Sequence, residues 1–400
     1  MSFSVLFIIV LSGLLGPALA GFKRVAVPLV VGEILAGVIV GKSGFALIDV
    51  TDPTVQFLSA FGFAMLMFLV GTHLPLRDPN LRKALKTGTI ATVLSFLFAI
   101  PVGLLLAHVT GIPAPIFVLI LANSSAAVMM PIIHERKLEG TTVLLTSTWV
   151  AIADTATIVA LPLALAPDNV VKISVGATLV LLVAIVAFYI FGKVRKSASF
   201  ENLRQLSKAR GWALDLRVAL ALLAGLCALA THFGTSDLVA GFAAGTVVSL
   251  WGIPKREVKQ LIGIGEGFFV PLFFVVLGAK LDFAALLHSP SNLTLTALIT
   301  VGAVIVHVAA AKCVRLPFAS GLVASAELGL PAAVVSLGMA SHMLDSGQAA
   351  AIIVAALLSL ISTTVGMNYL SKIALVEAPP TPDDKADEAA ASPDQNPVGK

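Results

Sequence analysis

The chain has 400 residues, of which 58% are hydrophobic and 12% charged, with a mean hydropathy of +1.00. Ordinary soluble domains are about 25% charged, so this composition excludes a soluble globular protein and belongs in a bilayer. The net charge of +4 and pI near 9.1 come from Lys and Arg in short loops with no nucleic-acid motif around them, which excludes a nucleic-acid partner and leaves a topology signal.

Apolar runs follow one another along the chain, at 3–20, 25–41, 54–73, 87–109, 113–133, 141–166, 170–192, 212–232, 236–252, 261–281, 291–312, 316–341 and 346–371. Each is near the ~20 residues that cross a hydrocarbon core of about 30 Å. They are too long for barrel strands and do not alternate, so helices are the way to satisfy their backbone groups in lipid. The fold class expected is an all-α polytopic membrane protein with about thirteen transmembrane helices. The first run ends in Ala18-Leu19-Ala20, like a cleavage site, but no Lys or Arg precedes it, so it is expected to stay as the first span. Cys227 and Cys313 give no disulfide framework, and the Pro-, Ala- and Asp-rich end of the chain reads as a disordered tail over 374–400.

With the N-terminus outside, every Lys and Arg except Lys42, Lys172 and Lys280 falls in an inner loop or the tail. The positive-inside rule then predicts N-out and C-in, across a prokaryotic cytoplasmic membrane.

The second and third spans return about 200 residues later. "LAGVIVG" (35–41) is echoed by "VAGFAAG" (239–245), and "FGFAMLMFLVGTHL" (61–74) by "FVPLFFVVLGAKL" (269–281). An odd number of spans separates equivalent positions, which predicts two inverted-topology repeats, 1–166 and 212–373, joined by a linking helix and basic loop at 167–211. Folds of this kind bind at the midplane, where discontinuous helices from each half cross. The matching interruptions are Asn123-Ser124-Ser125, followed by Pro131, and Ser325-Ala326-Glu327, followed by Pro331.

One carboxylate, Asp154, lies in mid-span in "TSTWVAIADTATIVALP" (146–162). A charge there costs a few kcal/mol or more and is by default functional. Desolvation disfavours its ionised form and a bound cation favours it, so one group can hold either a proton or a cation. Hard alkali cations want oxygen ligands. Ser147 and Thr157 fall roughly on the face of Asp154, Thr155 adjoins it, and Asn123, Ser124 and Ser125 are placed to arrive from the crossed span. Each of these hydroxyls is about as well suited to bonding its own helix backbone. Glu327, with Ser325 beside it, is read as structural, offsetting the charge of half-helix ends. His307 reads as a core residue or as a charge-compensating one, and Glu33 as facing a partner helix or a funnel.

The stretches "PLVVGEILAGVIVGKSG", "LMFLVGTHL", "SSAAVMMPIIHERK" running into "TSTWVAIAD", and "FFVVLGAKLDF" together resemble the monovalent cation/proton antiporter-2 family, over roughly residues 25–372. The resemblance implies exchange of Na⁺ or K⁺ for H⁺, no enzyme activity and no cofactor. It also implies a homodimer in membrane lipid and an elevator movement of a six-helix core containing two crossed broken helices. Two positions depart from the family pattern. Ala153 stands where many members carry a further acidic residue or Asn, and Ala303 follows Gly302 where many have Lys. Loss of both partners of an ion pair is coherent, since loss of one leaves a buried charge unpaired. A single carboxylate implies electroneutral exchange, with His307 as a stand-in for the missing positive charge. The alternatives are a transporter of the same fold for an organic anion or a cation-coupled symport, and a channel-like cation pathway.

Overall fold

In the computed structural model, which describes residues 1–21, 29–72, 81–165, 170–233, 235, 237–252 and 255–377, the regular elements among the described residues are all helices. The cations Lys23, Arg24 and Arg77, the start of the 167–211 linker and the tail beyond 377 lie outside the described residues. The first span is α1 (Phe3–Gly13) running directly into α2 (Leu15–Ala20), and α3 (Leu29–Val40), α4 (Pro53–Thr72) and α5 (Leu81–Thr110) follow. α6 (Ala114–Ala122) and α7 (Ala126–Arg136) are the halves of an interrupted span, succeeded by α8 (Thr141–Leu165) and α9 (Val170–Val194). A polar helix, α10 (Ala198–Arg210), leads to α11 (Leu214–Phe233), α12 (Asp237–Trp251), α13 (Lys255–Ile264) and α14 (Val270–Lys280), the last two joined by a π turn at Gly265–Phe269. The chain continues through α15 (Phe283–Leu287), α16 (Pro290–Cys313), the second broken pair α17 (Phe318–Ala324) and α18 (Gly329–Ala340), and the long α19 (Ser346–Glu377).

Among the described residues, ten helices or helix pairs are long and apolar enough to cross a membrane. α3 and α12 are shorter apolar helices, about 18 and 22 Å long at 1.5 Å per residue. The apolar runs at 113–133 and 316–341 are interrupted where expected, at 123–125 and 325–328, and two half-helices stand in each place. The final helix runs to Glu377 rather than 371. Part of the basic segment between α9 and α11 is itself helical. Ser197 caps α10 by accepting the Phe200 N–H (3.3 Å), and Gly211 ends it in the left-handed region, as a C′ glycine does. Arg204 then pins α10 to the next span through Asp215 (3.1 Å).

Small residues set the closest helix contacts. α3 lies on α14 with Gly37 against the Val275 carbonyl and Gly278 against the Ile34 carbonyl; α12 lies on α4 with Gly245 against the Phe68 carbonyl and Gly71 against the Phe242 carbonyl. A Cβ at any of the four would sit within van der Waals distance of backbone. Without a hydrophobic drive between helices in lipid, such backbone approach is what packing depends on. The two crossings are built alike, but by their contacts Gly37 answers Gly245 rather than Gly241, one helical turn beyond the echo in the sequence.

The helices pack most closely in two groups, α5–α8 with α16–α19, and α1–α4 with α9 and α11–α14. Both broken spans belong to the first group.

Gly245→Ala is expected to destabilise the protein by about 1–3 kcal/mol through overpacking, seen as a lowered thermal midpoint in detergent. Gly225→Ala, where a Cβ meets nothing within 4 Å, is expected to leave the midpoint unchanged or raise it slightly, since Gly in a helix interior costs up to about 1 kcal/mol relative to Ala.

Candidate functional site: two helix breaks and a buried carboxylate

Asn, Ser and Glu-flanked segments stop helices because short polar side chains compete for nearby backbone groups. α6 ends at Ala122, where Asn123 turns extended (φ −71°, ψ 149°), and α7 restarts at Ala126 with the Ser125 carbonyl accepting from Val128 and Met129. In the second break Ser325 caps α17, and Leu328 (φ −153°, ψ −62°) precedes α18. The prolines fall after the interruptions. Pro331 lies in the first turn of α18, where a missing N–H costs nothing, and residue 131 lies inside α7.

The two breaks touch. The Ser124 hydroxyl donates to the Ala324 carbonyl at 2.6 Å and stands 3.2 Å from His307 Nε2. Ala324 ends α17, where a helix leaves carbonyls without backbone donors, and a hydroxyl 200 positions earlier supplies one.

Asp154, buried at 3% exposure in the middle of α8, accepts the Ala126 N–H on Oδ2 at 2.9 Å. Ala126 is the first residue of α7, so the carboxylate sits at a helix N-terminus, where unpaired N–H groups and the helix dipole favour an anion. One turn on, the Thr157 hydroxyl lies 2.7 Å from Asn123 Oδ1, and 2.9 Å and 3.0 Å from the Ala153 and Asp154 carbonyls. Its single hydrogen serves one of these at a time. Asn123 Nδ2 is buried without a partner among the described residues, and turning the amide end over would let that NH₂ donate to Thr157 and free the carbonyl oxygen.

The structure therefore brings Asp154, Asn123 and Thr157 together, with Ser124 and Ser125 buried in the same break. It does not bring Ser147 and Thr155 to the carboxylate: their hydroxyls donate to the Leu144 and Ala151 carbonyls of their own helix. The Ser325 hydroxyl lies within hydrogen-bond distance of the Leu322 carbonyl of α17 and of the Ser362 hydroxyl of α19. Glu327 is buried at 1% exposure; its N–H donates to Ser359 (2.9 Å), and both carboxyl oxygens lack a partner among the described residues. Glu33 is remote in the packing, on α3 against Gly16 of α2, with Oε2 also unpartnered. His307 bonds the Ala303 carbonyl through Nδ1 at 2.9 Å, and its ring lies 5.7 Å from that of Trp149. Ala153 and Ala303 are fully buried. Residue-type reasoning missed the Ala126 N–H, the Ala324 carbonyl and Trp149. The first two follow from a helix restarting or stopping at a polar break; Trp149 gives no signal beyond its place on α8.

A buried carboxylate on a half-helix N-terminus, with amide and hydroxyl oxygens beside it, thus lies in mid-span in a chain whose described regular elements are all helices. The family model described as "Sodium/hydrogen exchanger, transmembrane" matches residues 7–369, and the chain belongs to that family. It is 29% identical over 392 residues to YjbQ of Bacillus subtilis, whose description as a Na(+)/H(+) antiporter is provisional, covering 92% of this chain and 63% of YjbQ. The chain thus spans somewhat under two thirds of the length of that relative. It is 25% identical over 369 residues to a Na(+)/H(+) antiporter of Enterococcus hirae, covering 88% of this chain and 93% of the relative. The solved structure of the sodium proton antiporter MjNhaP1 from Methanocaldococcus jannaschii shares the fold, with a TM-score of 0.65 at 16% identity over 94% of this chain and 98% of that one.

Ala126→Pro removes the N–H that Asp154 accepts at a helix position where proline is tolerated. Charge-assisted hydrogen bonds contribute about 1.5–3 kcal/mol. The half-saturating cation concentration for cation-dependent proton flux in proteoliposomes is expected to rise about tenfold or more, with the thermal midpoint near wild type.

Proposed function

We propose that this protein exchanges Na⁺ or K⁺ for H⁺ across the cytoplasmic membrane, one for one, with Asp154 as the seat that both ions share. The observation that carries the reading is the solitary carboxylate held by the Ala126 N–H at the break of α6 and α7. A protonated Asp154 is neutral, and so is an Asp154 that has taken a cation with the Asn123 carbonyl oxygen and the Thr157 hydroxyl. The empty, ionised form carries a full charge, and moving it through a low-dielectric barrier is costly. That difference couples the two fluxes: the carrier crosses loaded with one ion or the other.

Electroneutrality follows from the count of charges. Ala153 adds no second acid, and Ala303 no lysine. An elevator movement of α5–α8 with α16–α19 against the remaining helices suits the way the two groups pack, with the site carried wholly by the first. The halves 1–166 and 212–373 are read as inverted repeats, since α3 on α14 and α12 on α4 make matching glycine crossings. The distribution of Lys and Arg orients the N-terminus outward and the C-terminus to the cytoplasm. The protein works as a homodimer in the lipid bilayer and uses no cofactor or enzymatic step.

Purified protein in proteoliposomes, given Na⁺, K⁺ and Li⁺ in turn, is expected to show saturable, cation-dependent proton flux that Asp154→Asn abolishes. Silence toward all alkali cations, or flux that survives Asp154→Asn, contradicts the reading. A potential of about 100 mV, imposed with an ion other than the cargo, is expected to change the rate less than twofold. A net charge moved per cycle would feel about 2.3 kcal/mol, close to fiftyfold.

A further inference from the structure

His307 is fully buried and sits where the C-terminal ends of two half-helices converge. Three contacts surround it. Nδ1 lies 2.9 Å from the Ala303 carbonyl, Nε2 lies 3.2 Å from the Ser124 hydroxyl, and that hydroxyl lies 2.6 Å from the Ala324 carbonyl. The two carbonyls only accept, and a serine hydroxyl has one hydrogen to give.

Count the hydrogens. In a neutral ring with its proton on Nδ1, the Ala303 bond is made, and the one Ser124 hydrogen must choose between Ala324 and Nε2. With the proton on Nε2, the Nδ1 lone pair faces a carbonyl oxygen at hydrogen-bond distance, which is repulsive. Only the doubly protonated ring serves all three contacts. It donates from Nδ1 to Ala303 and from Nε2 to Ser124, which then donates to Ala324.

Burying that cation costs desolvation, and three features of the surroundings oppose that cost. Ala303 O and Ser124 Oγ stand where they accept its hydrogens. The C-terminal ends of α6 and α17 carry partial negative charge. The Trp149 ring lies within the ~6 Å over which an aromatic face attracts a cation.

We propose that His307 is a proton-operated latch between the two broken spans. With the ring protonated, Ser124 is held in its bond to Ala324, and α6–α7 is tied to α17–α18. With the ring neutral, the Ser124 hydroxyl turns to Nε2 and the tie to Ala324 is released. Among the described residues, no charged side chain is hydrogen-bonded to the ring. Of the helices packed against α16, α6, α15 and α17 carry no titratable side chain. α5 carries Arg82, Lys83, Lys86 and His108 near its ends, and α19 carries Tyr369, Lys372 and Glu377 in its last turns. α8 brings Trp149 to the ring and carries Asp154, whose carboxylate bonds Ala126; Glu327, beyond Ser325 in the second break, has no bond to the ring. The latch deepens the exchange reading, because Ser124 adjoins Asn123, but it is a statement about one ring and is testable without transport.

The test is ¹⁵N NMR of histidine-labelled protein in lipid nanodiscs, titrated over about pH 5 to 8, the range in which histidine changes charge, with His307→Gln used to assign the signal. The expected result is one buried ring that has both nitrogens protonated at the acid end and only Nδ1 protonated at the alkaline end. Ser124→Ala keeps the ring but removes its acceptor, and is expected to abolish the doubly protonated form over the same range. A ring that stays neutral throughout, one that stays charged throughout, or one indifferent to Ser124→Ala overturns the latch. In proteoliposomes, His307→Gln is expected to remove one titration from the pH profile of cation-dependent proton flux. If the ring titrates as described and no alkali cation is exchanged, the latch stands and the exchange reading falls.

Discussion

Unpaired backbone groups cannot be left in hydrocarbon, and that constraint governs the middle of this protein. A helix interrupted halfway across a membrane exposes its last carbonyls and the first N–H groups of its continuation, each costing several kcal/mol if unserved. Here the interruptions serve one another and their surroundings. Ala126 N–H finds Asp154, the Ala324 carbonyl finds Ser124, and Glu327 N–H finds Ser359. The same ends that must be satisfied carry local fields at that depth. Asp154 lies at a half-helix N-terminus and His307 at the C-terminal ends.

Much of this was legible because the bilayer enforces composition. A lone carboxylate among Ala, Ile and Val stands out, and so do Asn-Ser-Ser and Ser-Ala-Glu inside apolar runs; the breaks fall on those segments. The hydroxyls were harder. Helical spacing puts Ser147 on roughly the face of Asp154, yet spacing cannot tell whether a hydroxyl reaches outward or back to the carbonyl three or four residues earlier, and Ser147 and Thr155 both turn back. Nor can it reveal that Ser124 bonds the Ala324 carbonyl, because that partner is set by the crossing of segments 200 positions apart. The echo of 35–41 in 239–245 sets Gly241 against Gly37, but small residues recur at four-residue intervals on α12, and the crossing of the helices sets Gly245 there instead.

The departures from the family pattern gain a physical sense from the packing. Ala153 and Ala303 fill fully buried positions with methyl groups, so neither half of an ion pair is left alone. His307, one turn beyond Ala303 and bonded to its carbonyl, is a group that can be charged or neutral, where a lysine would carry a fixed requirement for an anion. The acid at one helix end and the imidazole at the junction of the breaks are thus linked through adjacent residues of a single loop, Asn123 meeting Thr157 and Ser124 meeting His307.

The central claim is that hydrogen ion and alkali cation occupy Asp154 by turns. It is tested most directly by measuring the protons released when Na⁺ or K⁺ is added to the purified protein in weakly buffered detergent solution, alongside the heat of binding. The account predicts up to one proton released per cation bound, approaching one at the acid end of the range where binding is measurable, and neither release nor heat from Asp154→Asn. Cation binding that releases no proton under those conditions, or that persists in Asp154→Asn, contradicts it.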